Sequence, residues 1–168
     1  MTNIIRYISF LERCSLEYRN NEFKDLGLSG GHHMFIFYIS KNPGCNQDSL
    51  TKKLHINKSN ITRSIKTLID DGFVYREVDD VDKRAYKLFP TQKSLDILPE
   101  IRKRIRTFND SVTKDLTEEE KNILDILLDK ISINASNYVN KLYEGNEDEE
   151  WRQYWNILFH IYLGHYSV

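Results

Sequence analysis

Apolar side chains recur every three or four residues along most of this chain, and the places where that rhythm stops divide it into helices. Ile4, Ile8, Leu11 and Tyr18 share one stripe, with Tyr7 and Cys14 beside it, so residues 3–22 read as a helix. Asp25-Leu26-Gly27-Leu28 breaks it. Ser29 reads as the N-cap of a second helix through Ser40. The centre of that helix, residues 34–39, is apolar nearly all round, which predicts burial on several sides. Asn42-Pro43-Gly44 ends it. Two shorter helices follow, over 47–54 and 59–71, separated by His55-Ile56-Asn57-Lys58 and closed by Gly72. The pattern then changes. Residues 73–78 and 85–89 flank the hydrophilic tip Asp79-Asp80-Val81-Asp82-Lys83-Arg84, which predicts a charged β-hairpin.

Pro90-Thr91 restarts a helix in which Leu98, Ile101, Ile105, Phe108 and Val112 alternate steps of three and four. Leu116-Thr117 interrupts it. Thr117 with Glu120 three residues on matches a capping box, and the helix behind it sets Leu124, Leu127, Ile131, Ala135, Tyr138 and Leu142 on one stripe. Two long helices with near-heptad apolar seams favour helix–helix association. Within one chain the two could pack on each other, but the first carries Arg102, Lys103, Arg104 and Arg106 around its seam and neither belongs to the hairpin lobe, so a two-fold dimer stalk is their expected use. After an acidic linker from Gly145 to Glu150, Trp151, Tyr154, Trp155, Leu158, Phe159, Ile161 and Tyr162 form a dense apolar band. Its spacing makes one helical face, and the tail is expected to be an ordered helix that joins the stalk; the rival reading is a mobile arm that binds another protein. The fold class is mainly α with a small β-hairpin wing: a winged helix-turn-helix lobe plus a helical dimerisation stalk. The expected division is 1–28, an N-terminal dimerisation helix; 29–90, the winged lobe; 91–144, C-terminal dimerisation helices; and 145–168, linker and aromatic-rich helix.

The net charge of −1 by itself argues against a nucleic-acid partner, but its distribution does not. Residues 1–51 carry five basic and five acidic side chains. Residues 52–106 carry fourteen basic and eight acidic ones, and residues 107–168 carry five and twelve. A basic middle beside an acidic end is an electrostatic footprint on one part of the molecule. The two cysteines, Cys14 and Cys45, make no disulfide scaffold. No basic stretch followed by an apolar run marks a secretory signal, and no apolar stretch is long enough to span a bilayer, so the expected compartment is the cytoplasm, with no membrane contact.

The helix over 59–71 divides into two faces. Ile61, Ile65, Leu68 and Ile69 point to a core. Asn57, Lys58, Ser59, Asn60, Thr62, Arg63 and Lys66 supply short polar groups at the start and long donors along the other face, with Gln47 opening the helix before. That split suits a helix lying in the major groove of double-stranded DNA, where Asn pairs with adenine edges and Arg with guanine or a phosphate. In the hairpin tip Asp82, Lys83 and Arg84 extend this surface. Asp82 is placed to hold the Arg84 guanidinium extended, as an Arg entering a narrow minor groove requires.

Gly44-Cys45-Asn46-Gln47-Asp48-Ser49-Leu50, Asn57-Lys58-Ser59-Asn60-Ile61-Thr62-Arg63, Leu68-Ile69-Asp70-Asp71-Gly72-Phe73-Val74-Tyr75-Arg76 and the D-x-x-D-x-R run from Asp79 to Arg84 resemble the MarR family of winged helix-turn-helix regulators. The resemblance follows element order over about residues 3–143. It implies a triangular obligate homodimer on a pseudo-palindromic operator, and the expected role is that of a repressor. It assigns Ser59, Asn60, Thr62 and Arg63 to the recognition helix and Asp82 and Arg84 to the wing. Phe89-Pro90-Thr91-Gln92-Lys93-Ser94 stands where the family usually has Leu-Thr-x-x-Gly, and the tail from about 145 exceeds the usual family length.

The family also implies release by a small aromatic or anionic effector, or by an oxidant acting at a cysteine. Tyr7, Cys14, Tyr18, Phe35 and Tyr38, with Phe37, are the candidates for an effector cleft; their other use is as core. Cys14 has only Arg13 beside it to lower its pKa. His32 and His33 beside Cys14 raise the question of zinc, but adjacent helical residues point about 100° apart, so at most one joins an intrahelical site. No metal and no cofactor are expected. No nucleophile–base set or phosphate loop marks an enzyme. The alternative to a DNA-binding regulator is a winged-helix protein-interaction module without specific operator binding, and the polar face of the 59–71 helix lacks the apolar anchors that role needs.

Overall fold

The computed structural model describes residues 3–54 and 56–142. The helix α1, Ile4–Glu22, starts where Asn3 accepts the Arg6 backbone N–H at 3.2 Å and buries none of its residues. A short 3₁₀ turn, Lys24–Leu26, follows and ends at Gly27, whose φ of +73° is the left-handed conformation that favours glycine. The helix α2, His32–Lys41, buries Phe35, Ile36, Phe37, Tyr38 and Ile39, as its all-round apolar pattern predicts.

The start of α2 differs from expectation. Ser29 is not its N-cap: the helix begins at His32, and its cap, Gly31, offers no side chain. The cause lies in α1. The Gly30 N–H donates to Asn20 Oδ1 at 2.8 Å, and its carbonyl accepts from Arg19 Nε at 2.9 Å. A Cβ on Gly30 would lie 2.7 Å from Asn20 Oδ1 and 2.9 Å from Leu16 Cδ1. The 29–31 turn is therefore fixed by backbone contact with α1 rather than by a serine cap.

The pair α3, Gln47–Leu54, and α4, Lys58–Asp70, forms the helix-turn-helix. The strands β1, Val74–Val78, and β2, Tyr86–Pro90, pair antiparallel from Val74↔Pro90 to Val78↔Tyr86. One further rung was not expected. Leu88 donates its N–H to the Cys45 carbonyl, and the Gly44 N–H donates to the Leu88 carbonyl, both at 2.8 Å. The hairpin is thereby laced to the segment leading into α3. The helix α5, Gln92–Val112, starts after Thr91, whose hydroxyl donates to the Gly72 carbonyl at 2.8 Å and accepts the Ser94 N–H at 3.3 Å. The helix α6, Glu118–Leu142, opens with the expected capping box: Thr117 N–H donates to Glu120 Oε2 at 2.8 Å, and Glu120 N–H to Thr117 Oγ1 at 3.3 Å. The aromatic-rich tail helix expected from Trp151 lies outside the described residues.

Contacts divide the chain into two compact units, Met1–Arg104 and Ile105–Val168, so the boundary falls inside α5. The first unit holds the core: Phe23, Ile36, Phe37, Ile39, Leu50, Ile61, Ile65, Leu68, Phe73, Leu88 and Ile101 are all but fully buried. Arg104 is not simply one of the charges flanking a seam. Its guanidinium holds both Asp25 oxygens, at 2.5 and 2.8 Å, and Glu100 at 2.8 Å, and also donates to the Glu22 carbonyl.

His33 lies in this core between Phe23 and Phe37, with ring centroids 5.5 and 6.2 Å away. Burial, aided by the Arg19 charge, pushes its pKa down to about 3. In the unfolded chain the imidazole titrates near 6.5. Between these values the unfolded state binds the extra proton, so stability is complete above about pH 6.5 and falls as pH drops toward 3. The slope is about 1.4 kcal/mol per pH unit for one group. His33→Gln should lose less thermal stability than the native chain between pH 6.5 and pH 5, where few carboxylates titrate. Equal losses in the two proteins would exclude His33 as the cause.

Candidate nucleic-acid interface

The candidate surface begins with a helix cap. Asn57 (φ −62°, ψ 148°) accepts the Asn60 backbone N–H and the Ser59 hydroxyl, both at 2.9 Å, on Oδ1. The side-chain oxygen of Asn57, a candidate contact in the sequence, is thus engaged in starting α4. From that start the helix separates its faces as its spacing predicts. Ile61, Ile65 and Leu68 are at most 1% exposed, whereas Lys58, Ser59, Asn60, Thr62, Arg63 and Lys66 are exposed.

The two helices are also joined on the outside. Thr62 Oγ1 lies 3.1 Å from Gln47 Oε1 and 2.9 Å from the Lys58 carbonyl; its single proton serves one at a time. Lys58 Nζ lies 2.8 Å from Asp48 Oδ1. Asn46 Oδ1 accepts the Ser49 N–H at 2.8 Å and fixes the first turn of α3.

In the wing Asp82, Lys83 and Arg84 are exposed at the tip. Asp82 does not hold the Arg84 guanidinium. Its Oδ1 accepts the Arg84 backbone N–H at 3.0 Å, and its carbonyl accepts the Ala85 N–H at 2.9 Å. The reason is local: where the chain reverses, the peptide N–H two residues on is the nearest donor to an Asp carboxylate. Asp79 acts similarly, accepting the Val81 and Asp82 N–H groups at 2.7 and 3.1 Å. These backbone bonds, with Lys87 nearby, hold its carboxyl below the usual range. The acidic residues of the tip therefore shape the turn that carries Lys83 and Arg84. The sequence did not single out Arg76, whose guanidinium lies 4.4 Å over the exposed Tyr86 ring on the neighbouring strand. The hairpin register, with Arg76 opposite Leu88 and Val78 opposite Tyr86, was the signal available.

The effector candidates are dispersed. Phe35, Phe37 and Tyr38 are core side chains, 3%, 2% and 8% exposed, whereas Tyr7 is 61% exposed. Cys14 and Tyr18 are half-buried, and the Tyr18 hydroxyl donates to the Arg104 carbonyl at 2.9 Å. A shallow, open surface depression is lined by Asn21, Glu22, Lys24, Asp25, Glu100 and Arg104, and by none of the candidates. Both cysteines are free thiols.

The fold is shared with known regulators. The MarR family model matches residues 26–85, which span the helix-turn-helix and most of the wing. The HTH-type transcriptional regulator YybA of Bacillus subtilis is 30% identical over 147 residues, covering 88% of this chain and 98% of the relative. The chain belongs to the MarR family. It is a DNA-binding transcriptional regulator with a winged helix-turn-helix, not an enzyme. Among solved structures, a MarR protein from Peptoclostridium difficile is 34% identical with a TM-score of 0.77, covering 82% of this chain and 90% of that one. A MarR family transcriptional regulator from Listeria monocytogenes, complexed with 26mer DNA, is 30% identical with a TM-score of 0.77, covering 89% and 99%. Among the described residues of this MarR-family chain, no helix is long and apolar enough to cross a membrane.

Proposed function

We propose that this chain is a homodimeric repressor that reads a pseudo-palindromic operator through α4 and the wing and leaves it on binding a small effector. The observation that carries the reading is the division of α4: an apolar face packed into the core and a face of Lys58, Ser59, Asn60, Thr62, Arg63 and Lys66 left exposed. A major groove accepts such a helix, and the wing tip with Lys83 and Arg84 suits phosphates or the minor groove. The relative complexed with 26mer DNA supports carrying this use to the present chain.

The dimer rests on exposed apolar faces. On α1, Ile5, Tyr7, Ile8, Phe10 and Leu11 are between 48% and 71% exposed. On α6, Ile123, Ile126, Leu127 and Tyr138 are at least half exposed. Faces of this kind mark interaction sites, and a two-fold pair is the commonest solution. Burial pushes the Cys45 thiol up to about 11, which leaves it a poor nucleophile, so an oxidant would act at Cys14, half-buried on α1. We place the protein with its DNA in the cytoplasm.

The test is selection of duplexes from a randomised library by the full chain, followed by titration and mass measurement of the complex. The reading expects one enriched pseudo-palindrome carrying two chains, with a free protein mass twice 20.0 kDa. Equal affinity for enriched and mixed-sequence duplexes at physiological salt would leave the protein-interaction module instead.

A further inference from the structure

We propose that Asp48 is an internal counter-ion that withholds Lys58 from phosphates and so limits binding to non-operator DNA. The inference rests on the reading of α3 and α4 as the DNA-facing pair. Asp48 sits in the first turn of α3, and Lys58 is the first residue of α4. Their charged atoms are 2.8 Å apart, yet the side chains remain 68% and 69% exposed. Asp48 is the one carboxylate between Gln47 and Lys66, a stretch that also holds Lys52, Lys53, Lys58, Arg63 and Lys66. Its position is fixed by the Asn46 cap of α3 and by the Thr62–Gln47 contact between the helices.

The pair suits both helices. A lysine at the start of α4 faces the positive end of that helix, and the carboxylate offsets the conflict. Asp48 in turn lies at the positive end of its own helix. An ion pair this exposed is weak, so a phosphate displaces it readily. The displacement still has a consequence. Non-specific binding is almost entirely phosphate neutralisation with counterion release, and a lysine already paired contributes less to it. When α4 is seated in a groove, its base contacts fix where Lys58 meets the backbone, so the exposed pair opens and Lys58 takes a phosphate. When the helix stands off on a non-operator duplex, the carboxylate faces phosphates only. The penalty therefore falls more heavily on non-operator DNA, and Asp48 sharpens selectivity by repulsion.

The experiment titrates the full chain against a mixed-sequence duplex and against the duplex it selects from a randomised library, over a series of salt concentrations. Asp48→Asn should tighten mixed-sequence binding roughly 3–10-fold and steepen the salt slope by about 0.9 per protomer engaged. The selected duplex should gain less, so the ratio of the two affinities falls. Asp48→Glu, which keeps the charge, should behave as the native chain. In the Asp48→Asn background, Lys58→Gln should remove the gain, which shows that the two residues act as a pair. A gain that survives loss of Lys58 would make the effect one of overall charge and overturn the proposal. So would an unchanged mixed-sequence affinity, or a weakening confined to the selected duplex, which would make Asp48 a base reader. If Arg63→Ala impairs binding while Asp48→Asn does nothing, only this inference fails. If neither they nor Lys58→Gln alters binding to any duplex, the reading of α3 and α4 as the DNA-facing pair fails with it.

Discussion

Replacing Arg63 by alanine is expected to abolish specific operator binding while leaving the protein folded. Arg63 lies on the exposed face of α4, six residues past the Asn57 cap and beside Thr62. The opposite face supplies the packing through Ile61, Ile65 and Leu68. Alanine is a strong helix former, so the substitution removes the proposed DNA contact without disturbing α4. A good bidentate base contact discriminates by roughly 1–3 kcal/mol, and a two-fold dimer makes it twice. The combined loss, roughly 2–6 kcal/mol, corresponds to about 30-fold or more in affinity at 1.4 kcal/mol per decade. Mixed-sequence binding should fall far less, because it depends on phosphate charge rather than base edges. Arg84→Ala supplies the contrast: it should weaken every duplex by a similar factor and flatten the salt slope. Anisotropy titrations at physiological salt check both. An Arg63→Ala protein that keeps native affinity for the selected duplex would remove Arg63 from the site.

Much of this architecture was legible from spacing alone. The helix α4 has a clean apolar stripe and closes at Asp71-Gly72, so period and punctuation agree. The Thr117–Glu120 capping box is a local device, complete within four residues, and it forms as read. What escaped the sequence depends on partners far along the chain or on backbone geometry. Ser29 has the chemistry of a cap, but Gly30 packs against Asn20 and Arg19 and the turn follows that contact. Asp82 and Arg84 are two residues apart, as an ion pair on one hairpin face would be, yet the turn brings the Arg84 N–H to the carboxylate first. The Cys45–Leu88 rung is a single pairing with no alternation to announce it. Arg104 reads in sequence as one of four basic side chains on a helix; its partners at Asp25 and Glu22 are 79 and 82 residues away. The ion pair of Asp48 and Lys58 spans ten residues across a turn whose angle no local pattern sets.

Charging the apolar face of α1 should convert the protein to monomers and with that remove high-affinity operator binding. Ile4, Tyr7, Ile8 and Leu11 follow the three-and-four spacing of one helical face, and Tyr7, Ile8 and Leu11 are 61%, 48% and 54% exposed. No residue of α1 is buried, so the helix contributes little to its own chain through this face. Covering an aliphatic side chain is worth roughly 1.5–3 kcal/mol, and a two-fold interface covers each position twice. Ile8→Glu with Leu11→Glu forfeits that gain and sets carboxylates against one another across the axis. The native chain should sediment at twice 20.0 kDa and the variant at the chain mass, with a lower thermal midpoint. Operator affinity should drop to that of a single half-site, because the second half-site no longer binds as an intramolecular partner. Ile8→Ala and Leu11→Ala, which shorten the side chains without charging them, should weaken the dimer in a concentration-dependent way and keep the helical circular dichroism signal. That series separates loss of association from loss of folding. A doubly charged variant that keeps the dimer mass would show that α1 does not form the interface, leaving the exposed face of α6 as the place to look.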